Sequence, residues 1–279
     1  MKITTATYQK KYSQDFVWAN KMKLFDTHCH LNAQNFENDV TEYLNRAKAQ
    51  GVEKLAVVGW DLASSKKAVE IANNHDGVYA VVGIHPSDVF KANANDLAEL
   101  EVLLSKTKVV ALGEIGLDYY WHKEKAGHDI QKQWFIKQIE LANKHKLPIV
   151  IHMREASQDT LEVLKQHSAH CGGIMHCFSS SSEMAIEFIK LGFFISLGGP
   201  VTFKNAKEPK RVAQGVPLEW LLIETDSPYL APHPYRGKQN ESSYLPLVLK
   251  EIAELREMTE EKLAGILFAN SLKVFHVEQ

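Results

Sequence analysis

Short apolar runs alternate with amphipathic stretches along almost the whole of this chain, and no other feature restricts its fold as strongly. Runs rich in β-branched and aliphatic residues occupy 24–30, 54–59, 78–84, 109–114, 148–153, 173–177, 193–197 and 221–225. Between them, helical patterns run over 37–50, 62–75, 94–106, 128–146, 156–169, 182–191 and 206–214. In 128–146, Ile130, Trp134, Ile136, Ile139, Leu141 and Ala142 recur at helical spacing. Gly51, Gly77, Gly172, Gly192 and Gly215 mark breaks before the next strand, as helix-to-strand loops prefer. Eight strands with helices between them and no linker predict a closed parallel α/β barrel, the (β/α)8 or TIM type. The rival is an open doubly wound sheet, but no Gly-x-Gly-x-x-Gly turn follows the first run. The chain has 279 residues, close to the roughly 250 that a barrel needs, so one domain over 22–279 is expected. A Pro-rich loop at 228–246 follows the eighth strand, and helices near 243–256 and 259–269 complete the ring. Residues 1–21 are polar, lack the apolar core of a signal peptide, and read as an N-terminal extension of unknown role.

Six side chains able to bind metal fall at the ends of these runs. They are His28 and His30 in LFDTHCHL, Glu114 in VVALGEIGLDYY, His152 in PIVIHMREA, His176 in GGIMHCFS and Asp226 in LLIETDSPYL. Ligands at the C-terminal ends of barrel strands describe a metal site on the top face. Four imidazoles and two carboxylates exceed what one catalytic ion with an open position uses. Two divalent ions bridged by one carboxylate fit the number better. His28 and His30 are two apart in a strand and face the same side, and Asp26, two residues earlier, is placed to orient an imidazole. Glu114 follows an apolar run, where a buried carboxylate without a cation is costly. Asp226 is placed to hold one ion and accept a proton from bridging water. Glu224, two residues before it, reads as a barrel-interior residue behind the ligands.

Charge and cysteine usage narrow the setting. The formal net charge is −2, so no global positive field gathers nucleic acid, and a polyanionic substrate needs local basic groups and metal. Cys29, Cys171 and Cys177 are an odd number in a long chain, which argues for a reducing, cytoplasmic compartment. Cys29 lies between His28 and His30 and is expected to point away from them into the core. No run of 18 apolar residues occurs, so no membrane span is predicted. His85, expected to end the third strand, Arg154 and Arg236 suit a phosphate, since arginine can take two of its oxygens at once. Their alternative is a solvated loop charge or a salt bridge to Glu155 or Asp226. Tyr119, Tyr120, Trp121 and His122 are placed to stack on a base or to pack over the barrel mouth.

Together the motifs DTHCHL (26–31), GIHP (83–86), GEIGLDY (113–119), IHMREA (151–156), MHCFS (175–179) and ETDSPYL (224–230) resemble the TatD family of metal-dependent deoxyribonucleases, within the wider amidohydrolase-like barrels. The resemblance covers residues 22 to about 275. It implies a TIM-type barrel, two divalent metals and hydrolysis of DNA phosphodiesters. Single-stranded ends are the expected substrate, because a barrel mouth admits a strand end more easily than a duplex, and Mg²⁺ or Mn²⁺ suits the reaction while four histidines also suit Zn²⁺. It assigns His28, His30, Glu114 and Asp226 to one ion, and Glu114, His152 and His176 to the other. Two loops depart from the family pattern. Ser180 stands where a glycine usually follows HCFS, and Ser242 stands where a proline usually follows Asn240 and Glu241. The second change is expected to loosen the loop that carries Arg236. The competing reading is another hydrolase on the same barrel, such as a D-aminoacyl-tRNA deacylase, amidase or lactonase. Related barrels often bridge their ions with a carboxylated lysine where this chain has Glu114. A non-catalytic binding barrel would have been favoured by loss of any one ligand, and all six are present.

Overall fold

Eight parallel strands form a single sheet in sequence order, curled into a nearly closed barrel with helices outside. The structure is a computed structural model that describes residues 22–37 and 39–278. The N-terminal extension, 1–21, lies outside the described residues. The strands are β1 Leu24–Cys29, β2 Val52–Val58, β3 Val78–Val82, β4 Val109–Asp118, β5 Ile149–Arg154, β6 Gly173–Met175, β7 Phe193–Leu197 and β8 Leu221–Ile223. The helices are α1 Val40–Ala49, α2 Leu62–Asn74, α3 Ala94–Leu104, α4 Lys125–His145, α5 Ser157–Gln166, α6 Ser182–Lys190, α7 Lys207–Gly215, α8 Leu245–Leu255 and α9 Glu260–Val274. The fold class and the order of elements are those expected from the alternation. None of the helices among the described residues is long and apolar enough to cross a membrane.

β1 and β4 are buried along their whole length and the other strands over most of theirs, which is why they read as apolar runs. One apolar cluster fills the barrel, with Phe25, Ala56, Val81, Ala111, Val150, Ile174, Phe194 and Leu222 each from a different strand. Phe275, just after α9, packs on Phe25 at 5.4 Å between ring centroids and helps cover one end. A larger cluster joins the outer strand faces to the helices. Helix starts follow their capping residues: Asp61 and Ser64 form a reciprocal capping box before α2, and Asn93 and Asp96 another before α3. Gly51 and Gly77 sit at φ 81° and 73° directly before β2 and β3. Gly215 is the last residue of α7 rather than a break, and Val216 leads out of that helix in extended backbone.

Two irregularities aim the site. The β1–β2 pairing shifts register between Asp26 and Cys29, so period-2 alternation fails across His28. The β4–β5 pairing shifts between Leu112 and Ile115, at Glu114. Bulges of this kind redirect side chains near active sites. The β8 end of the barrel closes through the segment after β8: the N–H of Asp226 donates to His28 O (2.9 Å), the N–H of His30 donates to Ser227 O (2.7 Å), and Cys29 bridges Ser227.

Candidate metal centre

All six expected ligands converge at the C-terminal mouth of the barrel, although three of them lie just past their strands rather than on them. His30 follows β1, His176 follows β6, and Asp226 lies three residues beyond β8 at φ 55°. The other three lie inside strands: His28 in β1, and Glu114 and His152 in β4 and β5, because β4 continues to Asp118 and pairs Gly116 with His152.

Glu114 is the centre of the arrangement. Its Oε1 lies 2.8 Å from Nδ1 of His152 and 2.8 Å from Nε2 of His176. Its Oε2 faces Nε2 of His28 at 3.5 Å and Nε2 of His30 at 3.7 Å. Asp226 Oδ1 lies 3.4 Å from His30 and 3.8 Å from His28. Ring nitrogens also face one another: Nε2 of His28 and His30 are 3.2 Å apart, and Nδ1 of His152 and Nε2 of His176 are 3.4 Å apart. Nitrogen pairs aimed at a common point beside carboxylate oxygens are the donor set of a cation site. The side chains present therefore fit divalent metal.

Three of the four rings are held from behind. Nδ1 of His30 contacts Val58 O (2.9 Å), Nδ1 of His176 contacts Glu224 Oε1 (3.2 Å), and Nε2 of His152 contacts Asp118 Oδ2 (2.9 Å). Nδ1 of His28 has no hydrogen-bond partner among the described residues, and that ring instead stacks face to face on His176. Burial disfavours charge on His152 and His176, but Asp118, Glu114 and Glu224 outweigh it and raise both pKa values. Burial likewise opposes ionisation of Glu114 and Asp226, yet the surrounding imidazoles hold both below the usual carboxylate range.

Several expectations are corrected. Asp26 does not orient an imidazole: its carboxylate accepts from Thr225 N–H (2.9 Å) and Thr225 Oγ1 (2.6 Å), tying β1 to the segment after β8. The register shift after Asp26 is the reason. His85 does not end β3 but lies three residues beyond it, beside His152 (centroids 4.4 Å) and 3.6 Å from Glu114. Burial, then the neighbouring His152, push its pKa down to about 3. Arg154 reaches the cavity, its guanidinium 3.9 Å above the Tyr120 ring. Arg236 does not line the cavity; its guanidinium lies over Phe203 at 4.4 Å. Neither arginine pairs with Glu155 or Asp226 among the described residues. Ser242 is buried and opens a turn into α8, while buried Asn240 clamps the loop through Thr225 O and Tyr229 O, both at 2.7 Å. Cys29 is a free, buried core thiol, as expected.

Above the ligands lies a cavity of about 710 Å³. Its walls include Trp60, Trp121, Arg154, Leu197, Val201 and Tyr229. Arginine 154 is the one arginine or lysine among the described residues that line it. Trp121 and Tyr229 are 66% and 57% exposed at the mouth. Tyr119, by contrast, is packed on His128 at 3.5 Å and bonded to Asp159. Sequence reasoning missed Asp118. The signal was present, since Glu114, Gly116 and Asp118 alternate along one strand and a carboxylate so placed needs a partner.

Residues 25–276 match the family model described as TatD related DNase. The chain is 49% identical over 255 residues to the uncharacterized metal-dependent hydrolase YabD of Bacillus subtilis, covering 91% of this chain and 99% of that protein. It is 37% identical over 261 residues to YcfH of Escherichia coli K12, also an uncharacterized metal-dependent hydrolase, covering 92% and 97%. The crystal structure of YjjV, a TatD homolog from Escherichia coli K12, superposes with a TM-score of 0.86 at 32% identity, covering 91% of this chain and 98% of that one.

Proposed function

The chain belongs to the TatD family of metal-dependent hydrolases, and from that premise we propose that it cleaves DNA phosphodiesters at single-stranded ends with two divalent ions. The observation that carries the two-ion reading is the division of Glu114. One oxygen faces His152 and His176, and the other faces His28 and His30. A carboxylate shared in this way is the bridge between two sites. His28, His30, Asp226 and Glu114 would hold one ion, and Glu114, His152 and His176 the other. Bound there, the ions supply an acidified water and polarise a phosphoryl oxygen. The four imidazoles suit Zn²⁺, and the carboxylates suit Mg²⁺ or Mn²⁺.

The chain's own residues complete the chemistry. Asp226 borders the cavity and is ionised, so it can take a proton from the attacking water. His85 is neutral, and its Nδ1 accepts the Ser87 N–H at 3.1 Å, so its proton is on Nε2, free to donate to a phosphate oxygen. Arg154 is placed to take a flanking phosphate, and Trp121 and Tyr229 to stack bases. One arginine and no lysine among the described residues along the cavity suit a strand end with few phosphates better than a duplex.

The test is turnover of single-stranded DNA labelled at either the 5′ or the 3′ end with Mg²⁺, Mn²⁺ or Zn²⁺, beside a duplex and a chelated control. Metal-dependent shortening of the single strand is expected. The apolar wall of Leu197, Pro200, Val201 and Leu230 favours a second reading, hydrolysis of a small ester or lactone. Ester turnover without DNA cleavage would establish that reading instead.

A further inference from the structure

We propose that Asp118 is a positioning residue that selects the metal-binding tautomer of His152 and couples it to the turn facing the cavity. The inference rests on the two-ion reading above. Asp118 ends β4 and is 1% exposed. Its Oδ1 accepts the N–H groups of Tyr120 (3.0 Å) and Trp121 (3.1 Å). Its Oδ2 lies 2.9 Å from Nε2 of His152. Its main chain is clamped by the Gln131 amide: the Asp118 N–H donates to Oε1 (2.9 Å), and Nε2 donates to the Asp118 carbonyl (3.0 Å). The carboxylate cannot turn away without breaking these bonds.

An ionised carboxylate only accepts, so Nε2 of His152 is the donor. A neutral imidazole has one N–H. Placing it on Nε2 leaves the lone pair on Nδ1, the atom beside Glu114 Oε1 and 3.4 Å from Nε2 of His176. That is the nitrogen the proposed second site requires. His176 has the same kind of support from Glu224.

Donor atoms of His85, Asp118 and His152 lie within 4.8 Å of one another, which raises the alternative of a third ion. The hydrogen bonds argue against it. Nδ1 of His85 accepts from Ser87, so a neutral His85 has no lone pair at Nε2. His152 would have to lose both ring protons to bind ions on both sides. Asp118 and His152 form a hydrogen-bonded pair instead, with the His85 ring edge-on to His152. The pair reaches the cavity mouth, because Tyr120 and Trp121 hang on Oδ1 and Arg154 rests on Tyr120.

The tautomer argument reverses the usual order of two substitutions. In Asp118→Asn the two backbone N–H groups still need an oxygen, so the amide carbonyl takes the Oδ1 place. The NH₂ group then faces Nε2 of His152, which must accept, and the imidazole proton moves to Nδ1. Asp118→Ala leaves Nε2 free to donate to water. The variant closer in shape is therefore the more damaging one.

The experiment is calorimetric titration of metal-stripped, full-length protein with Zn²⁺ and, separately, Mn²⁺. The wild type is expected to bind two ions per chain. Asp118→Ala should weaken one of them by about 10–100-fold, the usual effect of losing a group behind a ligand. Asp118→Asn should weaken it by about tenfold more, or abolish it. Asn binding as tightly as wild type, or more tightly than Ala, overturns the proposal. A wild type that binds one ion overturns the two-ion reading instead, and the order of the two variants on that ion still decides the role of Asp118. Melting of the metal-free proteins reports whether each variant folds; Asp118→Ser replaces Ala if Ala does not.

Discussion

His28 and His176 lie face to face inside the barrel mouth, with ring centroids 4.0 Å apart and planes within 15°. The stack joins the two groups of candidate ligands, since His28 faces one oxygen of Glu114 and His176 the other. A change at Glu114 should therefore be felt by both.

Glu114→Ala removes the shared carboxylate from a buried cluster of imidazoles. Two cations would then face each other without a bridge, so ion content should fall from two per chain to one or none, and turnover with it. Elemental analysis of the dialysed variant measures this. Two ions and an unchanged rate would end the bridging assignment.

Asp226→Asn keeps the shape but removes charge and basicity. The loss should be about 10²-fold or more in kcat, with KM little changed, on the usual scale of general-base catalysis. A change confined to KM would take Asp226 out of the chemical step.

Arg154→Ala should weaken oligonucleotide binding and flatten its salt dependence by about 0.7 in log–log slope, one contact's worth on a single strand. A small diester without flanking phosphates should be cut nearly as before. Arg236→Ala should have the smaller effect, because Arg236 stacks on Phe203 and does not line the cavity. Larger losses for Arg236→Ala across a salt series would reverse this assignment.

Gly116→Ala tests the strand geometry that aims His152. Gly116 sits at φ 137°, and an added Cβ would come within 2.1 Å of His152 O. Overpacking of this kind costs about 1–3 kcal/mol. Urea denaturation should show that loss, with weaker metal binding beside it. Full stability and full metal content would mean that β4 and β5 shift freely.

Metal removal should lower the melting temperature. Ligand at a hundredfold excess over Kd stabilises by about 2.7 kcal/mol, and each kcal/mol is worth roughly 2–4 °C in a domain of this size. Scanning calorimetry with chelator, then with Zn²⁺ restored, reads the shift. Identical melting in both conditions would mean that folding and ion binding are uncoupled.

The alternation of apolar runs with helical stretches, and the ligand types at the ends of those runs, were legible because both are local. A strand buried on two faces must be apolar throughout, and a hard or borderline ligand after it has few structural uses. The barrel and its six convergent side chains follow from those two constraints. Other features depended on contacts between distant segments. Two register shifts broke the period-2 rule, turning Asp26 toward Thr225 and setting Glu114 between two pairs of imidazoles. Loop packing placed Arg236 on Phe203, buried Ser242, and brought His85 to Glu114 from beyond its strand. Asp118 gained its role only when β4 ran on past Glu114 and set its carboxylate against His152. Composition and spacing specify which groups are available. Which atom of each group faces which neighbour is decided by bulges and loop packing, whose energies come from the assembled barrel.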